Sequence, residues 1–352
     1  MTSHRTSDRG IGLRWKSNAR GASLIELMVS ITIGLILLAA MTTLFGSATR
    51  SHRELSNSAQ QNENGAYAIG VLAEDLRHAG YYGGAYTIQP ALPATLPDPC
   101  VTNTAALLSA GLTFPIQGYA APGAAPVSCI PAADFVPGTD VVVIRRASTT
   151  VTPLASLDAT DVYLQNNNDW TNTSNPTVNL GLTANFPLLN KDGLTRADVR
   201  KYYVRIYYLS ACSVYEAAAT SCTPGADGGS PVPTLKMLEL GLDPADGQLA
   251  MVNIPLAQGV EDLHIDYGID SNGDGAADNF VSSPASVADW SNVTEVKLNM
   301  LVRNTQATTG YTDSKTYTIG LAGPVSPGGP YKRHLFTQHV RLTNVAETRE
   351  AP

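Results

Sequence analysis

The apolar and polar positions divide the chain into three regimes. From Leu27 to Thr49, 23 consecutive residues carry no charge. As a helix rising about 1.5 Å per residue, that stretch is long enough to cross a hydrocarbon core of roughly 30 Å. Beyond it, Leu55, Ala59, Ala66, Ile69, Leu72, Ala73 and Leu76 recur at helical spacing. Glu54, Asn57, Gln61, Glu63 and Glu74 fall on the opposite face. No proline occurs before Pro90. The pattern therefore predicts one helix from about 23 to about 78, with Gly80 as its stop. At about 1.5 Å per residue it would be roughly 85 Å long, half anchor and half spine.

The third regime is β-like. Residues 81–135 are rich in Gly, Pro and Ala, without helical period, and read as loops with short strands. Strand-like runs follow at Asp140–Arg145, Tyr202–Leu209, Val260–Ile269, Val293–Arg303 and Leu335–Leu342. In one of them Val296, Leu298, Met300 and Val302 alternate with Lys297, Asn299 and Arg303, as in a half-buried strand. The expected fold class is α+β: a long N-terminal helix packed on an antiparallel sheet with large insertions. The expected organisation is a leader (1–21), a membrane helix (22–49), its amphipathic continuation (50–79) and a β-rich body (80–352), ending in a short polar tail.

Charge adds a direction. Residues 1–21 hold Arg5, Arg9, Arg14, Lys16 and Arg20 against Asp8 alone, so the remaining 18 basic and 29 acidic residues carry a net −11. Basic residues before an apolar span stay cytoplasmic, which would deliver the body across the membrane. An acidic body without a Lys/Arg stripe argues against nucleic acid as a partner. The apolar run is also longer than the core of a cleaved secretory signal.

Cys100, Cys129, Cys212 and Cys222 are even in number, without a Cys-x-x-Cys pair and without a histidine at zinc spacing. In an exported body they read as two disulfides. Of three pairings, Cys100–Cys129 and Cys212–Cys222 are favoured because both closures are local in sequence. Buried free thiols are the alternative.

Glu26 is the one acid at the lip of the apolar run, in Gly21-Ala22-Ser23-Leu24-Ile25-Glu26-Leu27-Met28-Val29. A carboxylate at that depth needs a partner, which makes it a functional candidate. The alternative is an ordinary acid in a helix's first turn, favoured by the dipole.

This stretch resembles the class III signal of type IV prepilins, whose pattern is Gly-Phe-Thr-Leu-Ile-Glu after a basic leader. The resemblance implies cleavage between Gly21 and Ala22 by a prepilin peptidase that also methylates the new terminus, and Ala22 stands where the family has Phe. Glu26 would then pair with the Ala22 ammonium of a neighbouring subunit and select axial register. Further along, Leu76-Arg-His-Ala-Gly-Tyr-Tyr-Gly83, Gly259-Val-Glu-Asp-Leu263, Tyr267-Gly-Ile-Asp270 and His334 to Asn344 are similar, in order, to blocks of PilW-type minor pilins. That implies assembly with other minor pilins, the major pilin and a tip adhesin. The protein would start in the inner membrane with a periplasmic body and end in a surface pilus. Priming of assembly, twitching motility and adhesion are the implied roles. A minor pseudopilin of a type II secretion system is the alternative of the same mechanics. An uncleaved, signal-anchored binding or hydrolytic protein is the alternative of another class.

Asp270, Asn272, Asp274 and Asp278 place oxygen side chains at positions 1, 3, 5 and 9 of a loop. Gly275 stands at position 6 and the Ala276 carbonyl at position 7. This is the first part of an EF-hand-like calcium loop. Position 12 is Val281, so no bidentate acid closes it, and strands flank it. A plain Asp/Asn/Gly turn is the competing reading, and calcium is the one candidate cofactor. No Gly-x-Ser-x-Gly, phosphate-binding Gly-Lys-Ser/Thr or His-Glu-x-x-His motif occurs, so no enzyme is expected.

Overall fold

The computed structural model describes residues 23–83, 92–167, 169, 176–243 and 245–350. Leader residues 1–21 and Ala22 lie outside that set. The chain divides into a unit up to Leu55 and a unit from Ser56 onward. Helix α1 (Leu24–Arg77) contributes to both.

In the first unit α1 is uncharged from Leu27 to Thr49 and long enough, by length and composition, to cross a membrane. Its hydroxyls are satisfied inside the helix. Ser30, Thr32, Thr42, Thr43, Ser47 and Thr49 each donate to a carbonyl three or four residues back, at 2.7–3.0 Å. Such back-bonding removes the cost of placing those hydroxyls in hydrocarbon.

The second unit holds the remaining elements, all strands antiparallel. Its first sheet takes β1 (Ile116–Tyr119), β2 (Val141–Ala147), β3 (Val162–Gln165), β4 (Thr177–Leu180), β5 (Val199–Ser210), β6 (Thr234–Leu242) and β7 (Leu249–Gln258). The order is β1-β2-β5-β3-β4, with β6 on β5 and β7 on β6. The second sheet takes β8 (Val260–Ile269), β9 (Asn279–Val281), β10 (Val293–Arg303) and β13 (Arg333–Arg341) in the order β13-β10-β8-β9. A two-stranded ribbon pairs β11 (Tyr317–Ile319) with β12 (Gly323–Val325). Helices α2 (Thr104–Thr113), α3 (Ala226–Gly229), α4 (Val287–Ser291) and α5 (Thr343–Glu350), with short 3-10 helices at Leu154–Ser156, Thr183–Asn185 and Gly320–Ala322, complete the described elements.

The consecutive apolar run in β2 follows from burial on both faces. Val142 and Ile144 join Tyr207 and Leu235 in one cluster with Ala68, Leu72 and Leu76 of α1. The same cluster takes Leu263, Ile265, Val296, Leu298 and Met300 from the second sheet. Val141 and Val143 turn the other way, to Val204, Ile206 and Leu107 of α2. Fully burying a leucine such as Leu72 or Leu76 contributes about 2 kcal/mol.

The expected strands appear, with β8 and β10 at the residues expected, and the end of α1 falls within a residue of the expectation. At Gly80 the backbone takes φ +77°, a left-handed turn that suits glycine, and the chain enters β2's edge through Gly80 N to Arg145 O.

Four expectations change. The body has two main sheets rather than one, because β8, β9, β10 and β13 pair only with one another and form their own layer. Residues 104–113, expected as loop, form α2, capped by Asn103, whose side-chain oxygen accepts from Ala105 and Ala106 N. The C-terminal residues expected as a polar tail include α5, whose Val345 and Ala346 are buried. The buried face of α1 starts at Gln61, while Leu55, Ala59 and Ala66 are exposed. Gln61, expected toward water, is buried because its amide donates to Val302 O at 2.6 Å and Lys332 O at 3.1 Å.

Candidate functional site

Glu26 sits in the first turn of α1, exposed and without an ion pair to a described residue. Its position leaves the carboxylate available to another molecule. Gly21 and Ala22, the expected cleavage junction, lie outside the described residues, so the pairing geometry of Glu26 is not fixed by this chain alone.

How α1 is held to the body is well defined. Asp75, 3% exposed, faces the first sheet. Arg146 approaches its carboxylate at 2.7 Å and Arg205 at 2.7 Å, while the Tyr207 hydroxyl donates to the other oxygen. Burial works against the charge, but Arg205 and Arg146 outweigh it and hold the Asp75 carboxyl below its ordinary range. Arg205 also pairs with Glu239 at 2.7 Å, and both guanidiniums lie against the Tyr203 ring, at 4.6 and 4.4 Å. Nearly three turns earlier, Gly65 gives the ring of Phe336 on β13 room that any Cβ would occupy. Asn344 closes the far end of α1 by donating to Ala79 O at 3.1 Å. Nothing in the sequence marked Asp75, since its two arginine partners lie 71 and 130 residues away.

The Asp270–Asp278 segment lies between β8 and β9, flanked by strands as expected. Asp270 is buried. Its carboxylate accepts from Gly273 N at 2.6 Å and Gly275 N at 3.0 Å. Asn272 Oδ1 accepts from Asp274 N and Asp274 Oδ1 from Ala276 N, both at 2.9 Å. The Asn272 amide donates to Asp274 and Asp278, and Ser271 N to Asp278. Arg349 of α5 brings the nearest cation. It donates to the Asp270 carboxylate at 2.6 Å, to Asp270 O at 3.2 Å and to Asn292 Oδ1 at 2.6 Å. Burial raises the Asp270 carboxyl, but the Arg349 bond and the two glycine amides bring it down to about 2. The oxygen set of three carboxylates and an amide suits a hard cation, but Arg349 occupies the positive role at Asp270. Among the described residues no cluster of three or more His, Cys, Asp or Glu is poised to hold a metal.

The disulfides are Cys100–Cys129 and Cys212–Cys222, the favoured local pairing.

An N-terminal apolar helix whose second half is buried against antiparallel sheets, in a disulfide-bonded body, is a pilin-like α+β architecture. The comparisons make the class more specific. The family described as Type IV Pilus-assembly protein W matches residues 207–344, and the prokaryotic N-terminal methylation motif matches residues 16–42. Together these two matches support a PilW-type type IV pilin. No curated protein and no solved structure matches the chain. The matched W segment runs from β5 into α5 and so includes Cys212, Cys222, the Asp270 loop and both strands that flank it. The pilus-assembly match points to a structural, non-enzymatic protein, and the methylation motif to membrane anchoring and processing by a prepilin peptidase.

Proposed function

We propose that the chain is a minor pilin of a type IV pilus that primes assembly or takes a place in the tip complex, supporting twitching motility and adhesion. One observation carries this reading: a methylation motif at residues 16–42 and a PilW-type body at 207–344 occur in the same chain and the same order as the apolar helix and the sheets. The body is large for a repeating filament subunit, which favours a rare position at an end. Its partners would be the prepilin peptidase, other minor pilins, the major pilin and a tip adhesin. The basic leader before an acidic body supports a periplasmic body in the inner membrane, and then a place in the surface pilus.

Mass spectrometry of the mature terminus tests the class. A methylated Ala22 is expected. An intact Met1 would instead indicate an uncleaved anchor. Interaction partners recovered by cross-linking in the native strain separate pilus from secretion system: pilins and an adhesin are expected, pseudopilins would shift the reading to type II secretion.

Calcium binding at Asp270, Asn272, Asp274, Ala276 and Asp278 belongs to this proposal as well. The cation would take the place of Arg349 at Asp270 and brace the turn between β8 and β9.

A further inference from the structure

Buried beneath the Cys212–Cys222 loop are an amine and a carboxyl group in contact. Lys236 on β6 is 2% exposed and Asp134 is 0% exposed. Lys236 Nζ stands 3.4 Å from Asp134 Oδ2. The groups around them are arranged asymmetrically. Asp134 Oδ1 accepts the backbone N–H of Cys222 at 2.8 Å, whereas Oδ2 accepts the Tyr215 hydroxyl. That hydroxyl in turn accepts from the Asn253 amide at 2.8 Å. The ammonium lies 4.2 Å over the Tyr215 ring. Asp227, the other acid near Lys236, is already committed to three backbone N–H groups, those of Ser213, Val214 and Val232.

We propose that Lys236 and Asp134 are a site of intramolecular amide formation, joining the side chain of β6 to the segment before β2. In low dielectric the ion pair and the neutral amine–acid pair come close in energy, because burial penalises both charges. Burial lowers the Lys236 ammonium below its usual range, although Asp134 opposes this. Transfer of one proton from Nζ to Oδ2 gives a nucleophilic amine beside a carboxylic acid. The Nζ lone pair attacks Asp134 Cγ, and the negative charge develops on Oδ1, where the Cys222 N–H is already aimed. Tyr215 hands its proton to Oδ2 as the Cγ–Oδ2 bond breaks and regains one from Nζ. The products are one amide and one water, with no oxidant or co-reactant.

Peptide mapping of the full-length protein, purified in detergent, reduced and alkylated, tests this. The expected result is a branched peptide containing the Asp134 and Lys236 segments, lighter by one water than its two linear parts. Trypsin should also fail to cut after Lys236. Full recovery of the two linear peptides, with normal cleavage after Lys236, overturns the proposal and leaves a buried ion pair. In Asp134→Asn the same attack expels ammonia instead, so the branched peptide should retain the mass of the wild-type one. In Tyr215→Phe, formation after refolding should slow by about a hundredfold. An unchanged rate there removes Tyr215 from the proton path and overturns the mechanism as written.

Discussion

Asp75 on α1 and Arg205 on β5 meet at 2.7 Å in a site from which water is nearly excluded. The pair matters because Arg146 shares the same carboxylate oxygen, while Arg205 also reaches Glu239. Asp75→Ala would take the acid from Arg146 and leave Arg205 with Glu239 alone. Losing one partner of a buried ionic set costs about 3 kcal/mol. The urea midpoint of the full chain in detergent should fall accordingly. A change below about 0.5 kcal/mol, the level of ordinary surface substitutions, would mean the cluster is not a fastening.

Gly65 and Phe336 make a second prediction. Gly65→Ala should destabilise the body by about 1–3 kcal/mol, because the new methyl overlaps the ring. Phe336→Ala alone should also destabilise. The double variant should recover part of the sum, since the clash is gone, and a double-mutant cycle measures that coupling. Strict additivity would show that the ring is free to move aside.

Glu26→Ala tests the assembly reading. The variant should still be cleaved and methylated, because the junction is untouched, yet fail to enter filaments. Mature protein in the membrane with none in sheared pili is the expected distribution. Normal incorporation would remove the carboxylate from the assembly step.

The pH profile should show two limbs. His264 lies 3.2 Å from both Asp140 and Asp262. Burial disfavours its charge, but these two carboxylates outweigh it and push its pKa from 6.5 to about 10. A raised folded pKa means the stabilisation is complete below about pH 6.5 and is lost as pH rises through about 10. His264→Gln should flatten that alkaline limb. Asp270 moves the opposite way, from 3.8 to about 2, so its contribution is present above about pH 3.8 and is lost as pH falls toward 2. Denaturant midpoints between pH 2 and 10 check both signs, with Asp270→Asn flattening the acid limb.

For the loop, added calcium should raise the thermal midpoint of the full chain, and Asp274→Ala should abolish the shift. Arg349→Gln, which removes the competing cation, should lower the calcium concentration needed. Absence of any shift in both backgrounds would leave a turn held by Arg349.

Much of the fold was legible because its signals are local. The alternation through Val296, Leu298, Met300 and Val302 marks β10 as a strand, although Asn299 and Leu301 on its other face are buried as well, and Gly80 ends α1 where the apolar period stops. The Cys pairing followed from local closure. What escaped depends on distant partners. Gln61 resembles a solvated residue until β10 and the chain before β13 present two carbonyls to it. Asp75, next to Glu74, looks like part of an acidic face, and only the folded β2 and β5 supply its arginines. Helix α2 was missed although Asn103 is a standard capping residue, because its apolar residues surround it rather than forming a stripe. Of the expected site residues, Glu26 and the Asp270 loop stand on described elements, whereas the Gly21–Ala22 junction does not. The loop's link to Arg349 was invisible because the last residues gave too weak a pattern to be read as a helix.

The placement of polar groups on the second half of α1 has a mechanical meaning. Gln61, Asn64 and Asp75 grip carbonyls and guanidiniums on four different strands and on the chain before β13, at successive levels of one helix. Tension running along α1 would load these bonds in shear, together, instead of peeling them one by one. A body fastened this way yields to a pull along α1 only when several attachments break at once.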